Sequence, residues 1–344
     1  MDIFSYKLGK KAGGGGGGST LQTKSVNITS NGSTEVSPDE GYDGMSKVNI
    51  TTSVQDDSTY TNFKYYNAST NYVGSWCKRY KKTVMEDIQG TSLAYAFSGF
   101  AGEEIEIKSS VDTSAVTNFS SMFACLGLKR IIGLENLDTS SCDNFAYMFN
   151  TMGLNVPKWD KLDLTTFDTS SATTMTYMFR QTNVDEIDIT GWDTSKVTSM
   201  NNMFDSCSAT KITGLSGIDT SKNGSINGMF SNSTIDNIPE IDCTSVMTAG
   251  TPFGFSNTSI KNFGGFKDLG KAYDTSASAN YNPYRLDVSG ASNLTHDSLM
   301  NIINDVYDIA SKGVATQILY LGPTNKAKLT AEEIAIATNK GWSV

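Results

Sequence analysis

A repeat of fixed length constrains this chain more than any other feature. Asp-Thr-Ser begins at Asp112, Asp138, Asp168, Asp193 and Asp219, and a Met-Phe pair follows each time, at Met122-Phe123, Met148-Phe149, Met178-Phe179, Met203-Phe204 and Met229-Phe230. The interval from Asp to Met is ten positions in every copy, while the interval from one Asp to the next is 26, 30, 25 and 26. The segment is held constant and its connection varies. Self-similarity at a period of about 20–50 residues marks a stacked repeat architecture, in which each unit buries its apolar face only against its neighbours.

Within a copy, apolar residues fall at i, i+3 and i+4: Phe119/Met122/Phe123, Phe145/Met148/Phe149, Met175/Met178/Phe179, Met200/Met203/Phe204 and Ile226/Met229/Phe230. That spacing predicts a buried stripe on about two helical turns, with the Asp or Ser at the start as its cap. Short alternating segments precede several copies, among them Ile105-Glu106-Ile107, Leu162-Asp163-Leu164 and Ile187-Asp188-Ile189. These read as strands with two residues inward and one outward. Ser92 to Phe97 reads as a degenerate first copy, with Phe97 in the place of Phe123, and Asp242 to Phe253 as a degenerate last one. The expected fold is an α/β solenoid of leucine-rich-repeat type, with a short parallel strand and a short helix per turn, preceded by a small all-β module.

The chain divides accordingly. Residues 1–18 are a short apolar–polar peptide followed by an unbroken glycine run, Gly13 to Gly18, which acts as a flexible tether. Residues 19–55 carry alternating Val26/Ile28 and Val48/Ile50 around turn clusters and read as a small β module. Residues 56–84 are an aromatic-rich connector, 85–285 the repeats and 286–344 a closing segment. In the last, Leu299, Ile302, Ile303 and Val306 share a helix face over Thr295 to Ala310, and Thr330 with Glu333 makes a capping box for a final helix, Ala331 to Lys340, stopped by Gly341.

The formal net charge of −9 argues against a nucleic-acid partner, which needs a basic footprint. Met1 to Ala12 has no apolar leader segment, and no run approaches the ~18 apolar residues of a membrane helix, so membrane insertion is not expected. The five scattered cysteines, Cys77, Cys125, Cys142, Cys207 and Cys243, lack any CxxC spacing and read as buried thiols. The one histidine, His296, lies beside Asp297 at a helix start and has no partner in sequence for a triad or a metal site. No enzyme activity and no cofactor or metal are expected. A glycosidase using Asp163 and Asp188 is the enzymatic alternative.

The expected binding residues are of two kinds. The outward residues of the strands, Glu106, Asp163, Asp188 and Asp287, would form an acidic ladder if the turns are in register. That ladder would suit a cation or a basic or hydroxylated partner, or would serve only as a solvated face. Phe4, Tyr6 and Leu8, isolated by the glycine tether, are candidates for docking onto another protein as an added strand, unless the terminus is simply frayed.

The unit Trp192-Asp-Thr-Ser-Lys-Val-Thr-Ser-Met-Asn-Asn-Met-Phe204 and its copies resemble the BspA-like leucine-rich-repeat surface proteins of bacteria over roughly residues 92 to 255. Residues 27–50 are similar to a small β module of phage virion and tail proteins, and the stretch from Leu294 to Trp342 looks like the closing segment of such proteins in gut bacteria and their phages. The resemblance implies adhesion or recognition and carries no catalytic residue. It implies a virion-associated fibre or decoration protein, made in the host cytoplasm. Its N-terminus would engage a phage structural protein and its repeats a host surface receptor or glycan, with homo-oligomerisation left open. A bacterial cell-surface adhesin is the alternative.

Overall fold

The fold is that of a computed structural model. It describes residues 21–28, 36–37, 41–42, 48–55, 82–89, 91–98, 103–246, 253–254, 259–273 and 285–344. Phe4, Tyr6, Leu8, the glycine tether, Cys77 and nearly all of the aromatic connector lie outside the described residues.

The first strands belong to the all-β part of the sequence: β1 (Leu21–Ile28), β2 (Val36–Ser37), β3 (Gly41–Tyr42) and β4 (Val48–Gln55). Strand β1 runs antiparallel to β4, and β4 antiparallel to β5 (Lys82–Gln89). From there the direction changes. Strands β6 (Glu104–Ile107) and β7 (Arg130–Ile132) add in parallel, completing a five-stranded sheet in the order β1-β4-β5-β6-β7. The N-terminal strands are therefore continuous in hydrogen bonding with the first repeats.

A second sheet, parallel throughout, joins β8 (Trp159–Asp163), β9 (Val184–Asp188) and β10 (Lys211–Thr213). The break between β7 and β8 falls in the copy with the 30-residue interval. Its extra residues are tied down by Asn183, whose side-chain amide donates to the carbonyls of Gly153 and Val156, each at 2.9 Å. Short parallel pairs continue the stack: β11 (Asn237–Ile238), β12 (Ile241–Asp242) and β13 (Phe253–Gly254) pair with β14 (Asn262–Phe263), β15 (Phe266–Lys267) and β16 (Arg285–Asp287) respectively. Strands β17 (Gln317–Tyr320) and β18 (Trp342–Ser343) extend the last of these in parallel.

One expectation fails in every copy. The segments from Phe119, Phe145, Met175, Met200 and Ile226 are runs of tight turns, not short helices. The reason is where the backbone hydrogen bonds go. Phe119, Ser121 and Phe123 donate to Asn144, Ala146 and Met148 of the next copy at 2.8–3.0 Å, while Met122 between them donates to Phe119. The same alternation recurs with Phe145, Tyr147 and Phe149 donating to Thr174, Thr176 and Met178. A backbone that spends alternate donors on the neighbouring copy has none left for the i→i−4 ladder of an α-helix. A row of single parallel bridges, Ser92–Asn118–Asn144–Thr174–Ser199–Ser225, marks the same edge.

The apolar stripe nevertheless forms the core. Phe97, Phe123, Phe149, Phe179, Phe204 and Phe230 stack as one column, with successive ring centroids 5.8, 5.5, 5.7, 5.3 and 5.4 Å apart. The Met preceding each Phe from Phe123 onward is buried with it. Burying a Phe is worth ~1.5–3 kcal/mol, and near-parallel aromatic pairs add ~0.5–1.5 kcal/mol each.

Helix α1 (His296–Asp305) is capped by Thr295, whose side chain accepts from the Ser298 amide. It ends before the expected Ala310 because Val306 is extended and bridges Leu269. A short α2 (Gly322–Lys326) leads to α3 (Ala331–Asn339), where the Thr330/Glu333 capping box is formed on both sides. No helix of the described residues is long and apolar enough to cross a membrane.

Candidate binding surface

The Asp-Thr-Ser motif is consumed by the fold. Its Asp closes a local turn: Asp112, Asp138, Asp168, Asp193 and Asp219 each accept the amide of the Ser two residues on, at 2.8–3.0 Å. These bonds favour the ionised carboxylate and hold Asp112, Asp168 and Asp193 below the usual carboxylate range. The Thr is buried and links copies. The hydroxyls of Thr113, Thr139, Thr169, Thr194 and Thr220 donate to the carbonyls of Asp138, Asp168, Asp193, Asp219 and Asp242 at 2.9–3.0 Å.

The acidic ladder is reduced to one neighbouring pair. Asp163 and Asp188 are register partners, and the next position in their row is Thr213. Glu106 sits in the first sheet between Val84 and Ile132, and Asp287 in the last between Gly254 and Tyr320. The acids are also matched locally. Lys161 bridges Asp188 at 2.8 Å and Asp163 at 3.3 Å. Asp188 accepts from Thr190 as well, and the bonds from Lys161 and Thr190 pull it down to about 2. Asp163 and Asp287 accept in the same way from Thr165 and Ser289, and Lys108 pairs with Glu106. Asp163, Asp188 and Asp287 end their strands, and Glu106, Asp163 and Asp188 balance lysines. They form no continuous face.

The cysteines within the described residues, Cys125, Cys142, Cys207 and Cys243, are buried thiols. Burial pushes Cys142 and Cys207 up to about 12, which makes both poor nucleophiles. The His296 ring donates from Nε2 to the Glu333 carboxylate (2.9 Å), joining α1 to α3. A groove of about 590 Å³ opens where β10, β11, β14 and α1 meet, lined by Leu215, Asn237, Phe263, Asp297 and Asn301 among others. Much of its polar lining is already engaged within the protein: Asn262 donates to Asn237 at 2.6 Å, Asn301 to the Phe263 carbonyl, and Ser298 to the Lys261 carbonyl.

One surface row stands apart. Tyr95, Ser121, Tyr147, Tyr177, Asn202 and Gly228 occupy the same place in successive copies, immediately before the core pair. All have left-handed backbones, with φ between 53° and 64°. Tyr147 and Tyr177 stack on the outside, with ring centroids 4.7 Å apart, and Tyr147 is 38% exposed. The Arg180 guanidinium lies 5.9 Å from the Tyr177 ring centre. It bonds to Asp205 and Gln181, each at 3.1 Å. Sequence reading assigned no role to this row, because a left-handed backbone is not legible in tyrosine, which ordinarily avoids it.

A stack of parallel turns sharing a Phe column, a Thr link and a capped Asp defines a BspA-like repeat protein. The family model described as "Mycoplasma protein of unknown function, DUF285" matches residues 91–212 and 150–262, which together span half of the chain, and the chain belongs to that family. No curated protein and no solved structure matches it.

Proposed function

We propose that this protein is a structural and binding component of a phage particle, a fibre or decoration protein. Its stacked repeats form a leucine-rich-repeat-like solenoid that attaches the particle to a host surface receptor or glycan. One observation carries the attachment reading. The repeat motif's threonines and Met-Phe pairs are spent inside the stack and its acids in local turns, while Tyr147 and Tyr177 stack on one another beside the core with Tyr147 38% exposed. Membership of a BspA-like family agrees with adhesion. The particle reading is supported by the sequence preceding the repeats, a short apolar–polar peptide on a six-glycine tether, the arrangement by which a segment docks on one partner while a rigid body reaches for another. Many copies on one particle would convert weak contacts into avid attachment.

Deleting residues 1–18 tests the particle reading. The truncated protein should keep its far-UV circular dichroism and melting temperature and be absent from purified particles. Incorporation at the level of the full chain would overturn docking through the N-terminus. Recovery of the full chain on the producing cell's surface, and in no particle, would favour the bacterial adhesin that family membership also suits.

A further inference from the structure

The geometry points to the Tyr147–Tyr177 row as a carbohydrate-binding platform, with the uncharged pyranose rings of a surface polysaccharide as its ligand. This rests on the attachment reading above and names the chemistry of its contact face.

The case begins with backbone strain. At six equivalent positions the turn requires a left-handed residue: Tyr95 (φ 63°), Ser121 (57°), Tyr147 (60°), Tyr177 (58°), Asn202 (53°) and Gly228 (64°). An L-residue with a side chain pays ~1–2 kcal/mol for that conformation, whereas Gly pays nothing and Asn little. Asn202 and Gly228 show that this fold accepts the inexpensive residues at this position. Tyrosine is among the bulky side chains for which positive φ is a true outlier. It nonetheless occupies three of the six places, half-buried beside a core in which Met148-Phe149 and Met178-Phe179 are already fully buried, with Tyr147 38% exposed. Strain retained for a side chain that leaves part of its ring in solvent, beside a core already filled by Met-Phe pairs, is an observation from which function can be inferred.

The chemistry of the patch selects the ligand. Tyr presents an apolar face and a polar edge together. The neighbouring rows supply hydroxyl and amide groups: Thr176 lies 2.9 Å from the Ser199 hydroxyl and 3.1 Å from that of Thr174, and Ser225 donates to the Asn201 side chain at 2.7 Å. Arg180, which lies beside the Tyr177 ring, is balanced by Asp205, and the whole chain carries −9. A phosphate-rich or uronate polymer would meet no uncompensated positive charge here. A pyranose ring has the complementary surface, with C–H faces for the aromatic rings and hydroxyls for the amides. The row runs along the stacking direction at ~4.8 Å per turn, so a linear polysaccharide can lie across several copies.

The test is affinity electrophoresis of the full chain through gels containing mannan, galactan, β-glucan or arabinoxylan, with polygalacturonate as the anionic comparison. The variants are Tyr147→Asn, Tyr177→Asn and the double substitution. Asn suits left-handed φ, so the double variant should melt at or above the wild-type temperature. It should also bind at least tenfold more weakly to the neutral polymer that retards the wild type. Equal retardation of wild type and double variant overturns the platform, while a sugar-binding attachment protein would still stand. Retardation by polygalacturonate alone, or by none of the polymers, overturns the ligand assignment. Binding of the wild type to intact host cells then judges the attachment reading separately. A fall of several degrees in melting temperature for the double variant assigns the tyrosines to folding and overturns the proposal whatever the binding result.

Discussion

Replacing a motif threonine by valine isolates the bond that joins one copy to the next. Thr169 is 2% exposed, and its hydroxyl donates to the Asp193 carbonyl at 2.9 Å. Valine has the same shape, so Thr169→Val leaves packing nearly unchanged and removes the partner of the part-buried Asp193 carbonyl. An intramolecular hydrogen bond contributes ~0.5–1.5 kcal/mol, and an unsatisfied buried partner costs ~1–3 kcal/mol. A loss of about 1–2 kcal/mol follows. Thr194 provides an internal scale, because its hydroxyl donates to the Asp219 carbonyl (3.0 Å) and also accepts the Asp219 amide at 2.7 Å. Thr194→Val should therefore cost roughly twice as much by the same reasoning. Urea titration followed by circular dichroism measures both, with Ser141→Ala, at an exposed position of a neighbouring copy, as a control expected to stay within ~0.5 kcal/mol. If Thr169→Val and Thr194→Val are both as stable as the wild type, or equal to one another, the hydroxyls do not link the copies and the reasoning fails.

Three further outcomes are expected. Phe149→Ala removes a fully buried ring stacked at 5.5 and 5.7 Å on its neighbours and should cost at least ~3–5 kcal/mol by denaturant titration, against a small effect for Leu154→Ala at a 46% exposed site. Asp305 has a buried carboxylate oxygen without a hydrogen-bond partner, and burial, reinforced by Glu240, raises it to about 6. A carboxyl raised in the folded state adds stability that is complete below its unfolded value near 3.8 and is lost as pH rises through about 6, so Asp305→Asn should flatten the melting temperature between about pH 4 and about pH 6.5 and gain about 1 kcal/mol above that range. His296 is raised above the ordinary imidazole value of 6.5 by its bond to Glu333, so its contribution is complete below that pH and is lost as pH rises through the folded value. An NMR titration should show the upward shift shrinking in Glu333→Gln.

The sequence revealed the period and the core of the stack. A ten-residue interval repeated without error is a packing constraint, and Met-Phe at its end identified the column that the structure assembles from Phe97 to Phe230. The Thr330/Glu333 box was equally legible, because capping is decided within four residues. The helix expected in each copy was not legible as a turn. Apolar spacing at i, i+3 and i+4 reports only which residues face inward, and the backbone's choice between its own carbonyls and those of the next copy depends on contacts 25 or so residues away. The same holds for the acids: alternation correctly pointed Asp163 outward, but pairing with Lys161 and capping by Thr165 are tertiary and local details that turned the expected ladder into a matched pair. The tyrosine row was hidden for the opposite reason, since left-handed backbone at Tyr147 and Tyr177 is invisible in a residue type that ordinarily avoids it.

The central claim, that each copy adds one turn in register to a parallel stack, is tested most directly by a distance. Ala115, Lys196 and Lys222 are exposed and occupy the same position in the copies beginning at Asp112, Asp193 and Asp219. Spin labels at Ala115 and Lys196 are three turns apart, and at Ala115 and Lys222 four. With ~4.8 Å per turn, backbone separations of ~14 and ~19 Å are predicted, so the distance measured by double electron–electron resonance should lengthen by about 5 Å from the first pair to the second. Separations that are equal, or that both exceed ~30 Å where strand spacing allows less than 20, would contradict the stack.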